Sequence, residues 1–287
     1  MKAKALVAAT GCLVQEACEV LELAHSSYYY QSQRVEEVQL VGDLEQEAGR
    51  YPRYGSRRLT QQLRRAPYRH CVNRKHIQRI MRQKGLLRPI KRVRCRTTNS
   101  QHAFPRYPNR VMNLKIDHPE QVWVCDLTYI RLGNGFVYLA VIMDVFTRAI
   151  RGWNLSRSLD TDLTLLALRN ALTLCIPEIH HSDQGVQYAA QEYVTLLKQY
   201  HIQISMTSPG KPEENGYAER LLRTIKEEEV DLSDYNDFAD ACRQIGHFIE
   251  DLYMTKRIHS ALGYLTPVEF EAAWHMAQPE QTTPNDP

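Results

Sequence analysis

Three carboxylates, Asp126, Asp183 and Glu219, stand 57 and 36 positions apart, and Lys226 follows the last of them by seven. Asp126 lies in Trp123-Val-Cys-Asp126-Leu-Thr-Tyr129, which predicts a strand. Asp183 lies in His180-His-Ser-Asp183-Gln-Gly185, where a strand runs out into a loop. Glu219 opens a helical pattern, and at 3.6 residues per turn Lys226 falls two turns along the same face. Acids on three different elements meet only if the fold brings them together. A cluster so gathered repels itself unless a divalent cation neutralises it. Oxygen donors suit Mg²⁺ or Mn²⁺, and two such ions held roughly 4 Å apart make a site for in-line phosphoryl transfer. In that arrangement Asp126 bridges the two ions, and Asp183 and Glu219 hold one each. One ion lowers the pKa of an attacking water or 3′-hydroxyl while the other stabilises the leaving 3′ oxygen. No covalent enzyme intermediate is required, because charge stabilisation and positioning carry the reaction.

Other polar residues take supporting roles. Asp144, in Ile142-Met-Asp144-Val-Phe-Thr-Arg148, is expected to organise a strand end or pair with Arg148. His180 and His181 are expected to make structural hydrogen bonds rather than ligate metal. Arg257 and His259 are left open between touching DNA and buttressing the core.

The net charge of +3 over 287 residues hides a strong polarisation. Between positions 48 and 116 there are 20 Lys and Arg and no Asp or Glu, leaving 16 basic against 33 acidic residues elsewhere. One arm is therefore built to meet a polyanion, and DNA is the expected partner. The seven cysteines form no C-x-x-C pair, which argues against a disulfide framework or a zinc site and for a reducing, cytoplasmic setting. The apolar run near the start is too short for a signal peptide, and no run suits a membrane span.

The elements that must position these residues follow from periodicity. Residues 1–48 read as an N-terminal helical region, with Val35, Val38, Val41 and Leu44 on one side of a helix over 34–48 that Gly49 is expected to stop. Residues 49–88 read as a basic helix-turn-helix. Ser56 caps its first helix, Asn73 caps its second, Ile77, Ile80 and Met81 form a buried face, and Gly85 stands just past the end. Candidate DNA contacts are Arg57, Arg58, Arg74, Lys75, Arg79 and Arg82. Residues 89–118 read as a basic linker in which Lys91 and Arg92 are further candidates. From 119 to 275 the predicted order is β-β-β-α-β-α-β-α, with a hairpin turn at Gly133-Asn-Gly135. That order is the one of an RNase H-like catalytic core: an α/β fold with a mixed five-stranded sheet, helices on its faces, and a meander for its first three strands. Gly210 and Pro212 suggest a mobile loop before the helix of Glu219, and residues 276–287 read as a disordered tail.

Ordered short matches add to this reading: Trp123-x-x-Asp126-x-Thr-Tyr129, His181-Ser-Asp183-x-Gly-x-Gln-Tyr188, Ser208-x-Gly210-x-Pro212-x-Glu214-Asn215 with Glu219, then Lys226, Arg257-x-His259 and Thr266-Pro267. Tyr54-Gly55-x-Arg57-Arg58 and Val72-Asn73-x-Lys75 extend them into the basic arm. Over nearly its whole length the chain resembles the second-frame transposases of the IS-three family of bacterial insertion sequences, whose catalytic core is shared with retroviral integrases. It departs from them in Glu214-Asn215-Gly216, where the family often has Asp-Asn-Ala, in Arg220 and in Met254. The resemblance implies a DNA transposase with Asp126, Asp183 and Glu219 as its catalytic acids and two Mg²⁺ (or Mn²⁺) ions per active site. It also implies that Lys226 touches DNA near the cleavage point and that the element moves by a copy-out route through a joined-end circle. The implied partners are the terminal inverted repeats, target DNA, further copies of this chain and an upstream-frame helix-turn-helix protein, with no membrane. A nuclease without strand transfer and a DNA-binding regulator with an inactive core are the alternatives.

Overall fold

Alternation along β1 (Val122–Leu132) sets the two faces of the sheet. The computed structural model describes residues 7, 10–24, 28–29, 38–87, 105–133 and 135–277, and it divides into two units, Met1–Leu44 and Glu45–Pro287. The first unit holds α1 (Val14–Val20), and the division falls within α2 (Val38–Arg50). The buried stripe of α2 is Leu40, Leu44 and Glu47, at i, i+4 and i+7, while Val38 is exposed and Val35 lies outside the described residues. Gly49 does not stop this helix, which runs on to Arg50, where the guanidinium pairs with Glu47 at 3.0 Å.

In the second unit the basic arm folds as two short helices, α3 (Ser56–Arg64) and α4 (Arg74–Gln83). Leu59 and Leu63 of α3 and Ile77, Ile80 and Met81 of α4 are buried. The Asn73 side chain accepts a hydrogen bond from the His76 amide at 2.9 Å, which caps α4. Gly85 closes α4 with φ +68°, and the Leu86 amide returns to the Met81 carbonyl. The cap of α3 differs from expectation: Gly55 occupies it, and Ser56 is the first helical residue.

The sheet has the order β3-β2-β1-β4-β5, with β2 (Gly135–Asp144), β3 (Ile150–Ser156), β4 (Ile179–Ser182) and β5 (Gln203–Met206). The first three strands form an antiparallel meander, and β4 and β5 add on in parallel. Leu132 pairs with Gly135, so the first hairpin turns in two residues, of which Asn134 lies outside the described residues. Trp123 and Cys125 face a layer built from α5 (Thr161–Leu172), α6 (Val186–Ala189) and α7 (Gln191–Gln199). Val122, Val124 and Ile130 face the opposite layer, built from α8 (Gly216–Glu228) and α9 (Phe238–His247). A π-helical segment, Phe248–Lys256, continues α9, and α10 (Pro267–Ala277) follows. Gly152 lets α5 lie directly on β3: a Cβ there would meet the Ala167 carbonyl oxygen at 2.2 Å. No described helix is long and apolar enough to cross a membrane.

Candidate active site

Strands β1 and β4 run parallel, and Val124 lies opposite His181 in their register. Asp126 and Asp183 each stand two residues beyond that rung. Asp126 lies within β1 on the side of Val122 and Val124, and Asp183 is the first residue past β4, near enough for its charge to be felt at Asp126. The 57-position interval is thus the interval between two paired strand residues carried two steps further. Val122 and Val124 place this side against α8, which supplies Glu219 and Lys226. Ligands of open α/β sheets are bound in this kind of place, beyond the carboxyl ends of parallel strands.

The charges of the acids meet at Asp126. Burial, followed by the charge of Asp183 and then Glu219, pushes its carboxyl up to about 8, against the pull of the Leu127 amide and of Lys226. The Leu127 amide donates to Asp126 Oδ1 at 2.8 Å, and the Gly185 amide donates to Asp183 Oδ1 at 2.9 Å. Lys226 Nζ sits 4.7 Å from the centroid of the Tyr129 ring. Among the described residues no group of three or more His, Cys, Asp or Glu side chains is drawn together closely enough to hold a metal ion as placed. The donor set still suits a hard cation: all the donors are carboxylate oxygens, and the repulsion felt at Asp126 is what a divalent ion would relieve.

Two side chains at the entry to α8 bond to distant parts of the chain. Glu214 accepts hydrogen bonds from the Ser208 amide and from Asn109, both at 2.7 Å, which hold its carboxyl below the usual range. Asn215 donates to the Cys125 carbonyl at 3.1 Å, tying the start of α8 to the residue before Asp126. These hydrogen bonds tie the exit of the loop of Gly210 and Pro212 to Asn109 and to β1. A Glu six residues after a Ser in a Gly/Pro loop is a visible but weak sign of such a tie.

Residues 117–212 and 200–267 match two family models described as integrase core domain, and residues 44–94 match an HTH-like domain. The transposase InsF for insertion sequence IS3A of Escherichia coli (strain K12) is 29% identical over 271 residues, covering 90% of this chain and 93% of that protein. The transposase for insertion sequence element IS904 of Lactococcus lactis subsp. lactis (strain IL1403) is 34% identical over 223 residues, covering 76% of this chain and 87% of that protein. The chain belongs to the IS-three family of insertion-sequence transposases. Its function is DNA recombination, and DNA is its partner. Among solved structures, the HTLV-2 integrase catalytic core domain in complex with magnesium (trimeric form) is 20% identical, with a TM-score of 0.44, covering 53% of this chain and 96% of that chain.

In this transposase Lys75, Arg79 and Arg82 form one stripe on α4, at i, i+4 and i+7, opposite the buried Ile77, Ile80 and Met81. Arg57, Arg74, Lys75 and Arg82 are exposed and Arg79 is half-buried; Arg74 Nε also approaches Ser56 Oγ at 3.4 Å. Arg58 is engaged within the protein, 3.2 Å from Glu228. Lys91 and Arg92 lie outside the described residues. Asp144 organises a strand end: it accepts from the Thr147 amide and hydroxyl, both at 2.7 Å, and from the Glu120 amide at 3.1 Å. The Arg148 amide donates to the Asp144 carbonyl at 3.0 Å, while the Arg148 guanidinium lies over the Tyr217 ring rather than against the Asp144 carboxylate. His180 bonds the Tyr193 hydroxyl at 2.9 Å and His181 bonds Ser205 at 2.8 Å, and burial pushes the two imidazoles down to about 3 and about 4. Arg257 is buried and grips Glu228 through Nε at 2.7 Å and Nη2 at 2.8 Å, with its Nη1 against His259. Arg257 and His259 are thus both engaged within the protein.

Proposed function

We propose that this transposase cuts the ends of its insertion sequence and joins the freed 3′-hydroxyl to target DNA by transesterification, with Asp126, Asp183 and Glu219 holding two Mg²⁺ (or Mn²⁺) ions. The observation that carries this reading is the placement of Asp126 and Asp183 two residues past one shared rung, with the charges of Glu219 and Lys226 felt at the same carboxyl. When bound, such ions neutralise the acids, acidify an attacking water or hydroxyl and stabilise the departing oxygen. The protein's own part is positioning. Asn215 fixes the start of α8 against β1, so that Glu219 is presented toward Asp126. Lys226, lifted over the Tyr129 ring, meets a phosphate beside the acids. The stripe Lys75, Arg79 and Arg82 grips the duplex, with Arg57, Arg74, Lys91 and Arg92 as further contacts.

In this proposal residues 49–88 are the DNA-binding module, 89–118 a linker, 119–275 the catalytic core, 1–48 a helical region and 276–287 a tail. Holding two element ends together requires several copies of the chain on DNA, and an upstream-frame helix-turn-helix protein contributes to end recognition. The work is done on cytoplasmic DNA.

The test uses a labelled duplex already cut at the 3′ end of the terminal repeat, with supercoiled plasmid as target and Mg²⁺. Products joined to plasmid are expected. Hydrolysis with no joined product reduces the activity to that of a nuclease. Binding with neither leaves a DNA-binding regulator.

A further inference from the structure

Helix α8 carries Glu219 in its first turn and Glu228 at its last residue. Nine residues separate them, a lever of about 13 Å at the rise of an α-helix. Glu228 is shared by two arginines from opposite ends of the chain: Arg257 takes both its oxygens, and Arg58 of α3 adds a third contact at 3.2 Å. Burial alone would raise the Glu228 carboxyl, but the hydrogen bond and charge of Arg257, with the charge of Arg58, hold it below the usual range. Further contacts join the HTH-like module to the same region. Arg53 Nε donates to the Glu227 carbonyl at 2.8 Å, the Ile258 amide donates to the Tyr54 hydroxyl at 3.1 Å, and Arg65 reaches the Tyr264 carbonyl and pairs with Glu269. A cavity of about 50 Å³ lies beside Glu228, lined among others by Tyr51, Tyr54, Phe248 and Leu252. The seam is thus held by a few directed polar contacts around a gap, and such contacts can change partner without dismantling a packed core.

We propose that the Arg58–Glu228–Arg257 node is a latch that couples the grip of α4 on DNA to the placement of α8, making Arg58 and Glu228 positioning residues for Glu219 and Lys226. DNA held by Lys75, Arg79 and Arg82 pulls on the HTH-like module. Arg58 and Arg53 pass that pull to the last turn of α8, and the helix transmits it as a rigid body to the acids. In this assignment Arg58 is not a phosphate contact. The inference rests on the proposed catalytic role of α8.

The test compares the full-length chain with Arg58→Gln and Glu228→Gln on a duplex bearing the terminal repeat. Arg58→Gln leaves the buried Arg257–Glu228 pair intact, so it removes the latch without orphaning a buried charge. Three readouts are taken: affinity against salt, Mg²⁺-dependent cleavage at saturating DNA, and amide hydrogen exchange with and without DNA. Expected for Arg58→Gln is affinity within about twofold, an unchanged salt slope and cleavage slowed about tenfold or more. DNA-induced protection is expected in α4 and α8 of the wild type and in α4 alone of the variant, an effect that a merely structural role would not produce. Glu228→Gln, which removes no positive charge, is expected to behave alike where it folds. A weaker affinity with the salt slope reduced by about one makes Arg58 a phosphate contact and overturns the latch. Wild-type rate and wild-type protection in Arg58→Gln overturn it too. If the wild type itself does not cleave, the catalytic reading fails, and the exchange pattern still decides the latch.

Discussion

Asp126 carries a large electrostatic load in the proposed site. It is surrounded by Asp183 and Glu219, with Lys226 as the opposing charge, and its carboxyl is pushed up to about 8. A divalent ion bound there removes that repulsion, so Mg²⁺ or Mn²⁺ raises the melting temperature of the wild type. Asp126→Asn abolishes this gain; an equal shift in both proteins would place the ion elsewhere. Substituting Asp183→Asn or Glu219→Gln lowers Mg²⁺-dependent cleavage more than about a hundredfold, since ligand losses exceed the 10–100-fold cost of losing their supports. The nearness of Asp126 and Asp183 was foreshadowed by their spacing, which equals that of Val124 and His181 on one rung of the sheet, while the spacing of Glu219, on a helix, has no such source. Glu214 and Asn215 could not be assigned so, because their partners, Asn109 and Cys125, are about a hundred positions away. Arg58 was legible only as a positive charge: nothing local shows that its acid is Glu228, 170 positions on.

Helices and strands were more legible than their ends. The Gly133-Asn-Gly135 turn and the order of strands and helices gave the meander, whereas its two faces were less legible, because β1 and β2 bury apolar residues on both sides against helical layers and so carry no apolar–polar alternation. Gly49 misled because a glycine that costs a helix about 1 kcal/mol is tolerated when neighbouring turns are packed, as Leu44 and Glu47 are. The continuation of α9 as a π-helical segment has no local signature. Two consequences belong to this scale. Gly152→Ala forces β3 from α5 and costs about 1–3 kcal/mol, read from urea unfolding; an unchanged midpoint would show that the close approach is not required. His180 stays neutral when folded, its imidazole pushed down from 6.5 to about 3. As pH falls below 6.5 the unfolded chain takes up a proton that the buried ring refuses, so this stability is present above pH 6.5 and is lost progressively toward pH 3. The unfolding free energy of wild type therefore drops faster between about pH 6.5 and pH 4 than that of His180→Gln. Parallel profiles would contradict the buried neutral state.

Across the whole chain, charge separates grip from chemistry. The arm from 48 to 116 has 20 basic residues and no acid, and within it α4 turns Lys75, Arg79 and Arg82 away from its buried side. Affinity for duplex DNA therefore falls steeply with salt, and Lys75→Ala or Arg79→Ala lowers the slope by about one each. A salt-independent affinity would remove this stripe from the interface. What composition could not disclose is that several arginines of the arm (Arg53, Arg58 and Arg65) are spent on the protein itself, at Glu227, Glu228 and Glu269. The account as a whole depends on the three acids acting as one cation site at the parting of β1 and β4. Its most direct test is a Mn²⁺ titration of the end-DNA complex, followed by cleavage on the same samples. About two ions per active site, bound by wild type and lost together with cleavage in Asp126→Asn, is the predicted result. Equal Mn²⁺ binding and equal cleavage in the two proteins would contradict it.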